Sequence, residues 1–223
     1  SLLIIAPGPE GGGFDRAARA VGKALEQAAL ASPVTYENVG AAGGVTALPR
    51  LAEASAARPG VLMITGAVMV GASVSTGGDL LARVTPIARL AVDPLAIAVP
   101  SAGPANIAAL VEALRTPAGA VIAGGPNGSP DHLLLLAIAS ALSLPDGRAV
   151  YQPHSGGRPA AESVLAGNAA AVLTNWSDLV PFVVEGKLRV IATTDLPPNA
   201  AAVAPTLRDA GIAVSGGNWR GLV

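Results

Sequence analysis

The feature that most constrains this chain is a repeated order of short apolar runs, glycine-rich turns and segments with helical spacing. Residues 2–6 are apolar and stop at Pro7-Gly8-Pro9, and apolar side chains at helical spacing then run over 14–29. The order returns at 120–123, which leads through a glycine-rich loop into a helical segment over 131–142. Apolar strands that alternate with helices are typical of parallel sheets covered on both faces. We therefore predict an α/β fold made of two such series.

The rest of the chain continues this alternation. We predict further strands at 33–38, 61–65, 86–90, 95–99, 149–151, 170–173 and 188–193, and further helices at 45–57, 107–114, 159–165 and 176–185. In sheets of this kind ligands bind beyond the carboxyl ends of the strands. The glycine-rich turns follow those ends, which directs attention to them as candidate binding loops.

The uncharged run over 59–78 is the part of the chain that most resembles a membrane span. It contains five glycines, and its first charge after Arg58 is Asp79. A membrane helix needs about 20 predominantly apolar residues without such interruptions. We predict instead a buried strand, a glycine turn and a short helix.

Composition excludes several classes of function. The net charge is −1 and the 14 Lys and Arg residues are scattered, whereas nucleic-acid binding normally leaves a basic footprint. An anionic ligand must therefore be held by something other than a basic patch. The sequence has no cysteine, which removes disulfides, thiolate metal sites and cysteine nucleophiles.

The first candidate binding loop contains Gly11, Gly12 and Gly13, followed by Phe14 and Asp15 at the start of a helix. Glycines let the backbone approach a ligand closely, and a helix N-terminus offers N–H groups and the positive end of the helix dipole. Such a terminus binds carboxylate or phosphate without a cationic side chain. Asp15 then caps the helix or accepts a hydrogen bond from a hydroxyl or ammonium group of the ligand. The alternative to an anion-binding loop is a tight turn between strand and helix in which Asp15 is only a cap.

A second loop of the same kind precedes the helix over 131–142. Ser129 is a natural N-cap with Pro130 at the first helical position, and its hydroxyl with the following amides is a candidate for a second carboxylate. For His132 we consider two roles, a hydrogen bond to ligand or a brace for the loop. A third loop follows residue 151, and in it Ser155 with the amides of Gly156 and Gly157 are candidate donors, whereas His154 fits an ordinary loop residue.

No enzyme mechanism is apparent from these residues. Ser129, Asp131 and His132 are neighbours on one helical turn and point in different directions, so they do not form a nucleophile with its base. With two histidines and no clustered carboxylates we predict neither a metal nor a cofactor. An isomerase of the α/β class remains a rival, because Asp15, Asp131 and His132 are titratable residues in candidate loops.

Taken in order, the motifs resemble those of the substrate-binding proteins of tripartite tricarboxylate transporters, the TctC-like branch above all. The resemblance is carried by 7–15, by the turn 38–44, by 85–90, by 124–133, by 151–157, by 186–189, by 205–207 and by Asn218-Trp219-Arg220-Gly221. Glu10 departs from the pattern, because members of the family usually have an aromatic residue, a small residue or proline at this position. An acidic side chain beside an anion site would repel the ligand unless it points away. The resemblance covers nearly the whole chain.

The resemblance implies a two-lobed, type II periplasmic-binding-protein fold with a mainly parallel sheet in each lobe and the ligand in the interlobe cleft. It places lobe 1 at 1–95, lobe 2 at 96–214 and a crossover strand at 215–223 that returns to lobe 1. Because the family continues beyond this point, the last elements of lobe 1 are expected to be missing from the chain. The implied ligand-binding residues are Gly11, Gly12, Gly13, Phe14, Asp15, Gly66, Ala67, Asn127, Gly128, Ser129, Asp131, His132, Ser155, Gly156 and Asn175.

The function implied by the resemblance is that of a receptor. A monomeric periplasmic protein, its leader removed, would close its lobes on a small di- or tricarboxylate and deliver it to the large and small membrane subunits of the transporter. The same fold would also serve as a carboxylate sensor that presents its ligand to a signalling partner, and the sequence leaves this alternative open.

Overall fold

The computed structural model describes residues 1–40, 42–75, 78–79, 81–196 and 204–223. Three positions used in the sequence argument lie outside these ranges: Ala41 of the turn 38–44, and Thr76 and Gly77 of the uncharged run. The chain divides into two compact units: unit 1 contains Ser1–Val92 and Trp219–Val223, and unit 2 contains Asp93–Asn218.

Helices and strands alternate along the described chain. The strands are β1 (Leu2–Ala6), β2 (Val34–Asn38), β3 (Val61–Gly66), β4 (Ala88–Pro100), β5 (Ala120–Gly124), β6 (Ala149–Pro153), β7 (Ala171–Asn175), β8 (Leu188–Thr193) and β9 (Gly217–Leu222). The α-helices are α1 (Gly13–Gln27), α2 (Ala47–Ala57), α3 (Ala67–Ser75), α4 (Ile107–Arg115), α5 (Pro130–Ala141), α6 (Gly157–Leu165) and α7 (Trp176–Val184). This is the α/β fold that the alternation predicts.

In unit 1, β1 pairs in parallel with β2 on one side and with β3 on the other. The last strand, β9, pairs antiparallel with β3, which sets Arg220 opposite Gly66. The side chains of Ile4, Ile5 and Met63 are fully buried between the sheet and its helices. Since β1 and β3 are parallel, the loop before α1 and the turn into α3 both follow strand carboxyl ends at the same edge of the sheet.

In unit 2, β5 pairs in parallel with β6 and β7, whereas β4 pairs antiparallel with β7 and β8. Leu110, Ile122 and Leu173 lie at the centre of its core. The loops after β5, β6 and β7 therefore share one edge, and these loops lead into α5, α6 and α7. Each unit thus contains antiparallel strands in addition to the parallel ones that were predicted.

Two details differ from the sequence prediction. The strands predicted at 86–90 and 95–99 form one strand, β4, because Pro94 keeps its backbone extended and does not interrupt it. Helix α1 ends at Gln27, two residues early, because Ala29 adopts a positive φ of 55°. The run over 59–78 contains strand β3 and the short helix α3, as predicted, and among the described residues no helix is long and apolar enough to cross a membrane.

Candidate functional site

The first glycine loop uses part of its own backbone to hold its shape. Gly11 has a φ of +74°, which favours glycine, and its N–H donates to Asp15 Oδ2 at 2.9 Å. The Gly12 N–H donates to the Pro9 carbonyl at 3.1 Å. The N–H groups of Gly11 and Gly12 are thus used within the loop. The N–H groups of Gly13 and Phe14, the first two residues of α1, have no acceptor within the helix and stay candidates for binding an anion.

Asp15 is a brace inside the loop. Its side chain is only 2 % exposed, and besides Gly11 it accepts hydrogen bonds from Arg19 Nε at 3.0 Å and from Asn38 Nδ2 at 3.1 Å. The N-cap position belongs to Gly12, so the expectation that Asp15 caps the helix is wrong. The Arg19 hydrogen bond and then the Gly11 N–H lower the pKa of Asp15 from 3.8 to about 2. A ligand contact by this carboxylate stays a prediction.

Asn38 and Arg19 are two residues whose roles the sequence did not indicate. Asn38 Nδ2 also donates to the Gly8 carbonyl at 3.0 Å, so the end of β2 is tied to the loop that follows β1. Arg19 Nη2 lies 3.1 Å from Glu10 Oε1, so the carboxylate of Glu10 forms an ion pair with the guanidinium of Arg19. This contact explains how an acidic residue is accommodated next to a candidate anion site.

Arg220 is the functional candidate that sequence reasoning missed. Its guanidinium carbon lies 4.7 Å from the centroid of the Phe14 ring, and its Nη1 donates to the Trp219 carbonyl at 3.1 Å. A methyl group added at Gly13 would lie 3.1 Å from Arg220 Nη2, and one added at Gly66 would lie 3.1 Å from Arg220 Nη1. A cation thus stands beside the first turns of α1 and α3.

The same geometry explains why Gly66 precedes α3. A side chain at Gly66 would bring its first carbon within 2.5 Å of the Trp219 carbonyl oxygen. Glycine is therefore required where β9 pairs with the end of β3. In unit 1 the structure brings together the predicted residues Gly13, Phe14 and Gly66, with Ala67 next in the chain.

In unit 2, the loop before α5 is built on similar principles. Ser129 is the N-cap of α5 and Pro130 occupies the first turn, as predicted. The Gly125 N–H donates to Asp131 Oδ2 at 2.8 Å, and the Tyr151 hydroxyl donates to the Gly125 carbonyl at 2.7 Å. Asp131 therefore braces its loop as Asp15 does in unit 1.

Of the two roles considered for His132, the structure gives direct support to the brace. The Gly128 N–H donates to His132 Nδ1 at 3.1 Å, and the imidazole stacks on the Tyr151 ring with centroids 4.4 Å apart. Because Nδ1 accepts a hydrogen bond, the neutral ring carries its proton on Nε2. A ligand contact by His132 stays a prediction.

The carboxyl groups of Asp15 and Asp131 have pKa values that are shifted in opposite directions. Asp131 is 4 % exposed, and its burial raises its pKa from 3.8 to about 6, an effect that the Gly125 N–H opposes and the neighbouring Asp178 reinforces. Asp15 has an arginine as its partner, whereas Asp131 has the acid Asp178 as a neighbour. An aspartate in the first turn of a helix thus has a lowered pKa in α1 and a raised pKa in α5.

The remaining predicted residues lie around the same edge of unit 2. Ser155 and Asn127 are exposed on their loops, and Gly156 precedes α6. Asn175 donates to Asp178 Oδ2 at 3.0 Å and accepts from Asn218 Nδ2 at 3.0 Å, so both ends of its amide contact the protein. Within the described ranges, no three His, Asp or Glu side chains gather as a metal ion would require.

Comparison with known proteins places this geometry in a family. The model of the tripartite tricarboxylate transporter family receptor (TctC) matches residues 17–223. The chain is 29 % identical to protein BugT of Bordetella pertussis over 219 residues, which cover 94 % of the chain and 65 % of BugT. The chain therefore spans about two thirds of the length of this curated relative.

Solved structures agree on the fold. A TctC solute-binding protein from Polaromonas, solved without ligand, is 26 % identical to this chain and has a TM-score of 0.74. The match covers 99 % of this chain and 76 % of the Polaromonas protein. MatC from Rhodopseudomonas palustris, solved with bound malate, is 23 % identical to this chain and has a TM-score of 0.74. The match covers 100 % of this chain and 76 % of MatC. These neighbours confirm the predicted periplasmic-binding-protein type of α/β fold, and the chain belongs to the tripartite tricarboxylate transporter receptor family.

Proposed function

We propose that this chain is a periplasmic solute receptor that captures a small di- or tricarboxylate and delivers it to the large and small membrane subunits of a tripartite tricarboxylate transporter. The family match supports this proposal, as does the bound malate of MatC. The observation that carries it is the position of the Arg220 guanidinium beside Gly13 and Phe14 at the start of α1.

The chemistry of that position suits a carboxylate. The N–H groups at the start of a helix point along its axis toward an anion, and the helix dipole favours negative charge there. An arginine adds a planar fork of donors that matches the two oxygens of a carboxylate. Hydrogen bonds between charged groups contribute about 1.5–3 kcal/mol each, which is enough to decide between an ionised ligand and a neutral one.

For unit 2 we keep the proposal that the loops after β5 and β6 hold a second polar group of the ligand. The exposed residues Asn127 and Ser155 and the backbone of Gly128 and Gly156 are its candidate contacts. The division into ligand-binding lobes at 1–95 and 96–214, with closure on the ligand, belongs to the same proposal.

A receptor fits these residues better than an isomerase does. An isomerase needs acid and base side chains that face the substrate. Asp15 and Asp131 each accept a loop N–H, and His132 accepts the Gly128 N–H, so the titratable residues of both loops support backbone. Binding without turnover is the outcome we expect.

A thermal-shift screen with succinate, malate, adipate and citrate, each paired with its neutral amide, tests the proposal. A ligand present at 100 times its dissociation constant stabilises the folded state by about 2.7 kcal/mol, which such a screen detects. We expect stabilisation by at least one acid, much smaller stabilisation by its amide, and an unchanged NMR spectrum of the acid after prolonged incubation. Conversion of the acid would contradict the receptor role, and absence of stabilisation by every acid would contradict carboxylate binding.

A further inference from the structure

We infer that Arg220, held in place by the Phe14 ring, is the residue that makes unit 1 select an ionised carboxylate over its neutral isostere. The inference rests on the proposed function and names a specificity-determining residue of that site. It concerns a side chain that the glycine loops themselves do not contain.

The first step is that the guanidinium is pre-positioned. Phe14 is 9 % exposed, and its ring lies 4.7 Å from the Arg220 guanidinium carbon. A cation stacked on an aromatic face is attracted by the quadrupole of the ring. The Trp219 carbonyl fixes the orientation of the guanidinium by accepting a hydrogen bond from Arg220 Nη1 at 3.1 Å. The donors are therefore oriented before any ligand arrives.

The second step is that two helix starts converge on this cation. Gly13 begins α1 and Gly66 immediately precedes α3, and methyl groups at these two positions would approach opposite nitrogens of the guanidinium at 3.1 Å. Both glycines thus leave the space in which an arginine reaches the first turns of the helices.

The third step is electrostatic. Helix N-termini carry partial positive charge, so a guanidinium beside two of them is unfavourably placed relative to the helix dipoles. A carboxylate bound at the same point interacts favourably with the guanidinium and with both helix termini. A neutral amide of the same shape lacks that stabilisation and also presents N–H groups to donors. The arrangement therefore favours the ionised group specifically.

The test compares dissociation constants of R220Q, R220K, F14L and wild type by calorimetry. The probes are succinate, malate and adipate, each with its diamide as a competitor. R58Q is the matched control, because Arg58 is a surface arginine of the same unit that contacts Ser1. Melting temperatures of every variant are measured in parallel.

We expect R220Q to weaken the tightest diacid at least about tenfold while the affinity for its diamide changes less than about threefold. R220K, which keeps the charge but not the planar fork, should recover part of the loss, and F14L should weaken the diacid less than R220Q does. R58Q should match wild type. A folded R220Q with the wild-type preference for diacid over diamide, or an equal loss for both probes, would overturn the inference alone. A wild-type protein that binds none of the acids would overturn the proposed function with it.

Discussion

Replacing Asp131 by Asn should remove a specific pH dependence of stability. Burial raises the pKa of Asp131 from 3.8 to about 6, so the folded state disfavours the ionised form. The stability that the protonated acid provides is complete below about pH 3.8 and is lost as the pH rises through about 6. One pKa unit equals about 1.4 kcal/mol, so the full loss is about 3 kcal/mol.

Urea unfolding of wild type and D131N between pH 4 and pH 8 measures this effect. The amide of D131N keeps an oxygen for the Gly125 N–H and has no proton to lose in this range. The unfolding free energy of D131N minus that of wild type should rise by about 2–3 kcal/mol from pH 4 to pH 8. D146N, at an exposed aspartate of the same unit, is the matched control. A flat or falling difference for D131N would refute the account of the second loop.

Three further substitutions test the rest of the site. Gly66→Ala places a methyl group 2.5 Å from the Trp219 carbonyl oxygen and should destabilise the protein by about 1–3 kcal/mol in urea, whereas Gly216→Ala, with open space around it, should be close to neutral. Asp15→Asn should flatten the acid unfolding curve, because the lowered pKa of Asp15 provides stability that is present above about pH 3.8 and is lost as the pH falls toward about 2; an unchanged curve would contradict its role as a brace. Tyr151→Phe removes a 2.7 Å hydrogen bond to a loop carbonyl and should lower the unfolding free energy by about 1 kcal/mol, and an effect below 0.3 kcal/mol would argue against this contact.

Local signals predicted most of the elements and the start of α5. Ser129 followed by Pro130 indicates a helix N-terminus because side-chain capping and a fixed φ act within one turn. The orientation of Asp15 and Asp131 could not be predicted, since an acid in a first helical turn satisfies either a ligand or its own loop. The structure resolves this through Asn38 and Arg19, which reach Asp15 from β2 and from the next turn of α1.

Arg220 shows the larger limit of sequence reasoning. Its proximity to Gly13 depends on the antiparallel pairing of β9 with β3, a contact between segments more than 150 residues apart. Because the arginines are scattered along the sequence, the sequence suggested a site without a cation. The pairing of β9 with β3 instead brings Arg220 to the starts of α1 and α3. The motif Asn218-Trp219-Arg220-Gly221 contains this arginine, but nothing in the neighbouring sequence relates it to the first loop.

Calorimetric titration of the wild-type chain with malate and with malamide tests the central claim most directly. If the chain binds a small ionised carboxylate, the expected result is saturable binding of one acid per chain and much weaker binding of the neutral amide. If malate gives no heat of binding, the same titration is repeated with succinate, adipate and citrate. A folded protein that gives no saturable signal with any of these acids, or that binds acid and amide equally, would contradict it.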